Sequence, residues 1–213
     1  MTRSCLKIKD STPDAPLCCH QNACADIHEV VFTSDQINQT IETLASQIQT
    51  AYDNDASVVV PFLLKGAQPF ASDLREALSN PKFTFVPVSV SSYHGGTQST
   101  GKLLIECTDM MDITGRPVLI LDDIYDSGLT LTRFKSHLEA NNPSSIKTCV
   151  MFEKECEHKH AVALDFVGLL VPNDFVVGYG LDYQERYRDL HCVGKLKPNV
   201  LRSEKYYEDS KSA

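Results

Sequence analysis

Three carboxylates crowd the end of one apolar run: Val118-Leu-Ile-Leu121 is followed by Asp122, Asp123 and, three residues on, Asp126. Ser127, Gly128, Leu129 and Thr130 come next, and Leu131, Phe134 and Leu138 then recur at helical spacing. Four consecutive apolar residues suit a strand buried on both faces, as in a parallel sheet. The acids then stand at the carboxyl end of a strand, the edge where open α/β sheets bind ligands. The helix start beyond them offers free backbone N–H groups, which favour an anion. Gly128 permits close backbone approach, and Ser127 and Thr130 add hydroxyl donors. Asp122 and Asp123 supply paired acceptors to a polyol or, through water, to a hard cation such as magnesium. The chemistry indicated is the binding of a phosphorylated sugar. An acidic N-cap explains one such Asp, but not two acids, a third at three residues' distance and a Gly/Thr turn.

The remaining candidates are weaker one by one. Leu64-Lys65-Gly66-Ala67 joins a strand end to a helix start, giving a cation and a flexible backbone where diphosphate can lie. Lys154 follows an apolar strand, and Phe175 opens a run that ends in the charged stretch Asp182 to Asp189, with Arg188 inside it. Taken bare, both lysines read as solvated side chains, Phe175 as a core residue and 183–189 as a surface loop with internal ion pairs. Ser91 to Thr100 is polar and contains Gly, which suits either a lid or an idle surface loop.

The elements that must position these residues follow from periodicity. Thr33 and Gln36 have capping-box spacing, with Ile37, Ile41, Leu44, Ala45, Ile48 and Tyr52 following at helical intervals. Val58–Leu64 reads as a buried strand whose Pro61 disturbs regular pairing, and Pro69 suits the start of a helix carrying Phe70, Leu74, Ala77 and Leu78. Further strands are expected over Phe83 to Val90, Lys102 to Glu106, Val118 to Leu121, Ile146 to Phe152 and Phe175 to Tyr179. Strands alternating with helices predict an α/β fold, a mainly parallel twisted sheet flanked by helices.

With 213 residues, 42% hydrophobic, the chain suits one α/β domain with a real core and a small cap. A formal net charge of -8 opposes a broad nucleic-acid or membrane surface. No apolar run approaches the ~20 residues of a membrane span, and no N-terminal segment reads as a signal peptide, so an intracellular, cytoplasmic protein is expected. Cys107, Cys149, Cys156 and Cys192 fall singly in or beside apolar segments, as free buried thiols do. Cys5, Cys18, Cys19 and Cys24 lie with His20 in a head that lacks paired zinc-site spacing, so residues 1–25 read as a mobile extension.

The stretch 118–131 resembles the diphosphoribosyl-binding signature of the type I phosphoribosyltransferases. Leu64-Lys-Gly-Ala67, Ser92-Tyr93 with Ser99-Thr-Gly101, and Phe175-Val-Val-Gly-Tyr-Gly-Leu-Asp-Tyr183 with Arg188 are similar to the hypoxanthine-guanine members, in order, from about Asp26 to about Val200. The resemblance implies that fold, with a small hood built from the chain ends near 26–35 and 165–200 on a domain running over 26–213. It implies a purine-salvage transferase that joins hypoxanthine or guanine to 5-phosphoribosyl 1-diphosphate with Mg2+, usually as a homodimer or homotetramer.

It also assigns residues. Lys65 and Gly66 belong to a diphosphate loop that can carry a cis peptide, Ser92 and Tyr93 to a mobile loop over the reacting centre, and Arg188 to the diphosphate. Asp122 and Asp123 face ribose hydroxyls, while Asp126, Ser127, Gly128, Leu129 and Thr130 hold the 5-phosphate. Lys154 donates to the purine O6, Phe175 stacks on the base, Val176 contacts its edge by backbone, and Asp182 stands near base and diphosphate. Asp182, Asp122 and Asp123 are the implied metal carboxylates. Asp126 is the implied catalytic group, as general base or as a stabiliser of positive character at N7. One departure stands out: Asp122 occupies a place where purine-salvage members commonly carry Glu. Transfer to xanthine or another base, a regulator that only senses the phosphoribosyl donor, and a metal-binding adaptor built on the N-terminal cysteines are the alternatives.

Overall fold

The computed structural model describes residues 25–92, 103–107 and 112–201. Tyr93, most of the expected lid and the cysteine-bearing head up to Cys24 lie outside these residues. The elements in chain order are β1 (Ile27–Phe32), α1 (Ser34–Ala51), β2 (Val58–Leu64), α2 (Gln68–Leu78), β3 (Phe83–Ser92) and β4 (Leu103–Cys107). They continue with β5 (Pro117–Tyr125), α3 (Leu129–Glu139), β6 (Ser145–Lys154), β7 (Phe166–Val171), β8 (Val176–Val177) and β9 (Val193–Leu196).

Six strands form the main sheet in the order β4-β3-β2-β5-β6-β7, with only the β3–β4 pair antiparallel. The run Val118–Leu121 lies at its middle and is fully buried. Successive residues face opposite ways, as the pleat requires. Leu119 and Leu121 join the core under α1 and α2, whereas Val118 and Ile120 join the core that Leu131, Phe134 and Leu138 of α3 complete. Each such side chain fully withdrawn from water contributes about 1.5–3 kcal/mol. The sheet edge that carries the acids is thus fixed from both faces.

The expected capping box starts α1: the Gln36 N–H donates to Thr33 Oγ1 at 3.3 Å, and the Thr33 N–H to Gln36 Oε1 at 2.9 Å. Its buried face is Ile37, Thr40, Ile41, Leu44, Ala45 and Ile48. Pro61 leaves a mark where it was expected to. β2 keeps full register with β3, but it meets β5 only at Val59 with Val118 and Phe62 with Leu121, on either side of the residue that lacks an N–H.

A second, antiparallel sheet has the order β1-β9-β8. Its small core holds Ile27, Val177, Tyr187, Leu190, Cys192 and Leu196. The span 165–200, expected as one part of the hood, is divided: β7 pairs in parallel with β6 at the main sheet's edge, and only β8 and β9 lie beside β1. The strand expected over Phe175 to Tyr179 is only Val176–Val177, because Gly178, Tyr179 and Gly180 all take positive φ and turn the chain back. The cysteine expectation also needs correction. Cys149 and Cys192 are buried as expected, but Cys156 is only half-buried, lying past the end of β6. Among the described residues, no helix is long and apolar enough to cross a membrane.

Candidate active site

A cleft of about 340 Å³ opens at the carboxyl ends of β2 and β5. Lys65, Gly66, Asp122, Asp123, Asp126, Ser127, Gly128, Leu129, Thr130 and Arg188 line it, so segments far apart in the chain meet there. The cradle beneath is built from backbone. Gly128 caps α3 at φ 79°, a conformation that costs other residues about 1–2 kcal/mol. A Cβ at that position would also strike the His160 carbonyl oxygen. The turn is therefore closed to any side chain by conformation and by space.

Asp122 is 7% exposed. Its Oδ1 accepts from the Asp123 N–H at 3.0 Å, and Asp123 Oδ1 accepts from the Ile124 N–H at 2.9 Å. Burial, and then the neighbouring Asp123 charge, push the Asp122 carboxyl well above the usual carboxylate range. Burial also raises Asp123, against hydrogen bonds and the Arg188 guanidinium, which pull it down. Two such carboxyls are short of partners for their charge, and hydroxyl donors or a cation would supply them. Gly66 is pressed against this pair, because a Cβ there would collide with the Asp123 carboxylate. The peptide before it, Leu64–Lys65, is cis.

Opposite the cradle stands a rim of charged side chains. Arg188 donates through Nη1 to the Gly180 carbonyl at 2.7 Å and through Nη2 to Asp182 at 2.8 Å and Glu185 at 3.1 Å. Its Nε is buried with no hydrogen-bond partner among the described residues. Lys65 Nζ reaches Glu185 at 2.6 Å, and these ion pairs hold the exposed Glu185 carboxyl below its usual range. Gly180, at φ 93°, packs against the Gly66 carbonyl so closely that a Cβ has no room, which brings the whole 180–188 loop onto the Lys65–Gly66 turn.

Lys154 ends β6, and its Nζ lies 3.4 Å from Asp126 Oδ2. The parallel register sets Lys154 beside Val171, and the chain then runs four residues to Phe175. Phe175 is 49% exposed and packs edge-on against Tyr183, ring centroids 5.5 Å apart. Val176 is buried in β8. Of the three carboxylates expected at a metal, Asp122 and Asp123 sit in the cleft floor, while Asp182 is committed to Arg188 and to the Glu185 N–H. Among the described residues no group of three His, Cys, Asp or Glu converges to hold an ion by itself. Ser92 ends β3, with only its backbone described, and Tyr93 is outside the described residues.

Two features went unread in the sequence. Glu185, which bridges two cations of the rim, looked like one more charge in a surface loop. Cys156, His158 and His160 gather around Asp126 and Ser127. Their alternation after Lys154 was the available signal, but a polar run without hydrophobic period gives no address in space.

The comparisons with known proteins fit this geometry. Residues 31–184 match the phosphoribosyl transferase domain. A hypoxanthine-guanine phosphoribosyltransferase of Mycobacterium tuberculosis is 41% identical over 183 residues, 83% of this chain and 90% of that protein. One from Dictyostelium discoideum is 37% identical over 82% of this chain and 98% of its own length. Among solved structures, a lysine-to-arginine mutant of hypoxanthine phosphoribosyltransferase from Trypanosoma cruzi in a ternary substrates complex superimposes with a TM-score of 0.77 at 31% identity, covering 83% of this chain and 99% of that one. With motif order, sequence identity and topology agreeing over the same stretch, the chain belongs to the phosphoribosyl transferases, and within them to the hypoxanthine-guanine phosphoribosyltransferases.

Proposed function

We propose that this chain transfers the 5-phosphoribosyl group of 5-phosphoribosyl 1-diphosphate to hypoxanthine or guanine, releasing diphosphate, as a purine-salvage enzyme. One observation carries the reading: the Asp126 carboxylate stands between the backbone cradle that begins at Ser127 and the ammonium of Lys154, 3.4 Å away. A 6-oxopurine entering there offers an acceptor, O6, to Lys154 and a proton, on N7, to Asp126. An amino group at the 6-position would give Lys154 no acceptor, which excludes adenine.

The residues divide the work. The turn from Asp126 to Thr130 holds the 5-phosphate through N–H and hydroxyl donors, and Asp122 and Asp123 accept from the ribose hydroxyls. Lys65 and Arg188 take the diphosphate, the guanidinium by its forked donors. Phe175 covers one face of the base, and the Val176 backbone meets its edge. As the sugar–diphosphate bond breaks and the bond to the purine nitrogen forms, positive character spreads over the ribose and the base. Asp126 lies where it accepts the N7 proton or stabilises that charge.

The carboxylates of Asp122, Asp123 and Asp182 are hard oxygen donors of the kind magnesium takes, one or two at a time, together with phosphate oxygens and water. Magnesium so held would neutralise charge on the leaving diphosphate. A homodimer or homotetramer in the cytoplasm, with no nucleic-acid or membrane partner, completes the reading. The net charge of -8 supports the exclusion of nucleic acid.

The test is magnesium-dependent turnover of hypoxanthine, guanine, xanthine and adenine with the phosphoribosyl donor. Hypoxanthine and guanine are expected to react and adenine to be refused. Failure of both oxopurines, or adenine reacting equally well, would sink the reading, and preference for xanthine would redirect it.

A further inference from the structure

The connection between β6 and β7 has no part in the reaction as described, yet it wraps the turn that carries Asp126. Tyr125 Oη donates to the His160 carbonyl at 2.9 Å and accepts from the Val162 N–H at 3.0 Å. The His160 N–H donates to the Ser127 carbonyl at 3.0 Å, and the His160 carbonyl in turn fills the space beside Gly128. His158 sits in the middle of this clasp. Its ring lies 4.1 Å from the Tyr125 ring, its Nε2 is 3.7 Å from Glu153, and its Nδ1 is hydrogen-bonded to the main-chain carbonyl of Asp126.

We propose that His158 is a positioning residue of the transfer reaction, orienting the Asp126–Ser127 peptide through its Nδ1–H bond to the Asp126 carbonyl. The inference rests on the functional reading above. A carbonyl oxygen can only accept, so Nδ1 carries the hydrogen. The Asp126–Ser127 peptide is trans, and in a planar trans peptide C=O and N–H point in opposite directions. Holding the oxygen on His158 therefore turns the Ser127 N–H away from the 155–162 stretch, and Ser127 is a wall of the cleft.

The same bond steadies the Asp126 Cα, and with it the carboxylate that lies 3.4 Å from Lys154 Nζ and 3.8 Å from Cys156 Sγ. His158 is itself held: its side chain is 18% exposed, between the Tyr125 ring and the Glu153 carboxylate. A misplaced peptide here disturbs the phosphate grip and the acid–base group together, and small displacements at such points cost rate steeply.

Three variants separate this role from simple packing. His158→Asn puts an amide nitrogen where Nδ1 stands, His158→Gln reaches the Nε2 position instead, and His158→Phe keeps a ring on Tyr125 without any donor. Steady-state kinetics and melting temperature are measured for each. The Phe and Gln variants are expected to lose about tenfold in kcat/KM for the phosphoribosyl donor, the worth of one well-aligned hydrogen bond. The Asn variant should stay within about twofold of the unaltered chain, and KM for hypoxanthine should hold in all three.

Gln performing as well as Asn, Phe retaining full efficiency, or losses that simply follow melting temperature would overturn the positioning role while leaving the functional reading intact. An unaltered chain that turns over no purine overturns both. If the Phe variant does not fold, the contrast between Asn and Gln decides alone.

Discussion

The two ends of the cleft are built by different means. At the end formed by the β5 carboxylates and the turn after them, the walls are backbone and buried carboxyls: the Gly128 turn leaves no room for a Cβ, and Asp122 is almost withdrawn from water. At the opposite rim, exposed side chains cancel one another's charge, with Lys65 and Glu185 66% and 62% exposed. Gln184, Glu185 and Tyr187 all take positive φ there, a strained backbone for residues with side chains. Fixed dipoles need no rearrangement when an anion arrives, so the first end is ready for ligand. Exposed ion pairs are weak because water screens them, so on the proposed reading the second end can exchange Glu185 for a diphosphate oxygen at little cost. The comparison teaches that rigidity in this cleft is concentrated at the strand-end turn, the end proposed to hold the phosphosugar, while the rim keeps its cations occupied by an internal carboxylate.

The harshest way to break the rigid end is Gly128→Ala. Left-handed strain added to a collision with the His160 carbonyl should cost about 3 kcal/mol of stability and abolish measurable turnover. Urea unfolding and an activity assay check both, and an active, equally stable variant would show that the turn is softer than its geometry implies.

Next in size is Asp126→Asn, which keeps the shape of the turn but removes the charge. Turnover is expected to fall by roughly 10²-fold or more, with only a modest change in substrate binding. Turnover equal to that of the unaltered chain would take Asp126 out of the chemistry.

Lys154→Ala works between the two ends. Loss of one charge-assisted donor should raise KM for hypoxanthine and guanine by about tenfold and leave KM for the phosphoribosyl donor within about twofold. Equal effects on both substrates would place the lysine elsewhere.

The smallest effect sharpens the contrast. Glu185→Gln should release Lys65 and Arg188 from their internal partner and lower the concentration of diphosphate needed for half-inhibition by about two- to threefold, as weak exposed pairs imply. Titration of diphosphate in the assay reads this directly, and weaker inhibition in the variant would mean that Glu185 supports the cations instead of competing for them.

The main sheet was legible because its signals are contiguous. Val118–Leu121 announces a doubly buried strand and Thr33 with Gln36 a helix start; both are found, though the strand runs on from Pro117 through the two acids to Tyr125. β1, β7 and β9 were missed as separate elements. Of these, β7 and β9 carry a glycine each, Gly168 and Gly194, and β9 has only four residues. The site was half legible. The acids and the Gly128 turn stand together in the sequence, whereas Glu185, His158 and Cys156 gain meaning only from what they touch.

By itself, then, the sequence determined the strand-end carboxylates, the Gly-led helix start after them and the alternation that makes a parallel sheet, because each depends on residues a few positions apart. Only the tertiary structure decided that Lys65 meets Glu185 across 120 positions, that Lys154 faces Asp126, and that the 155–162 stretch clasps the turn carrying Asp126. Those contacts are set by sheet order and close packing, and no local pattern of side chains carries them.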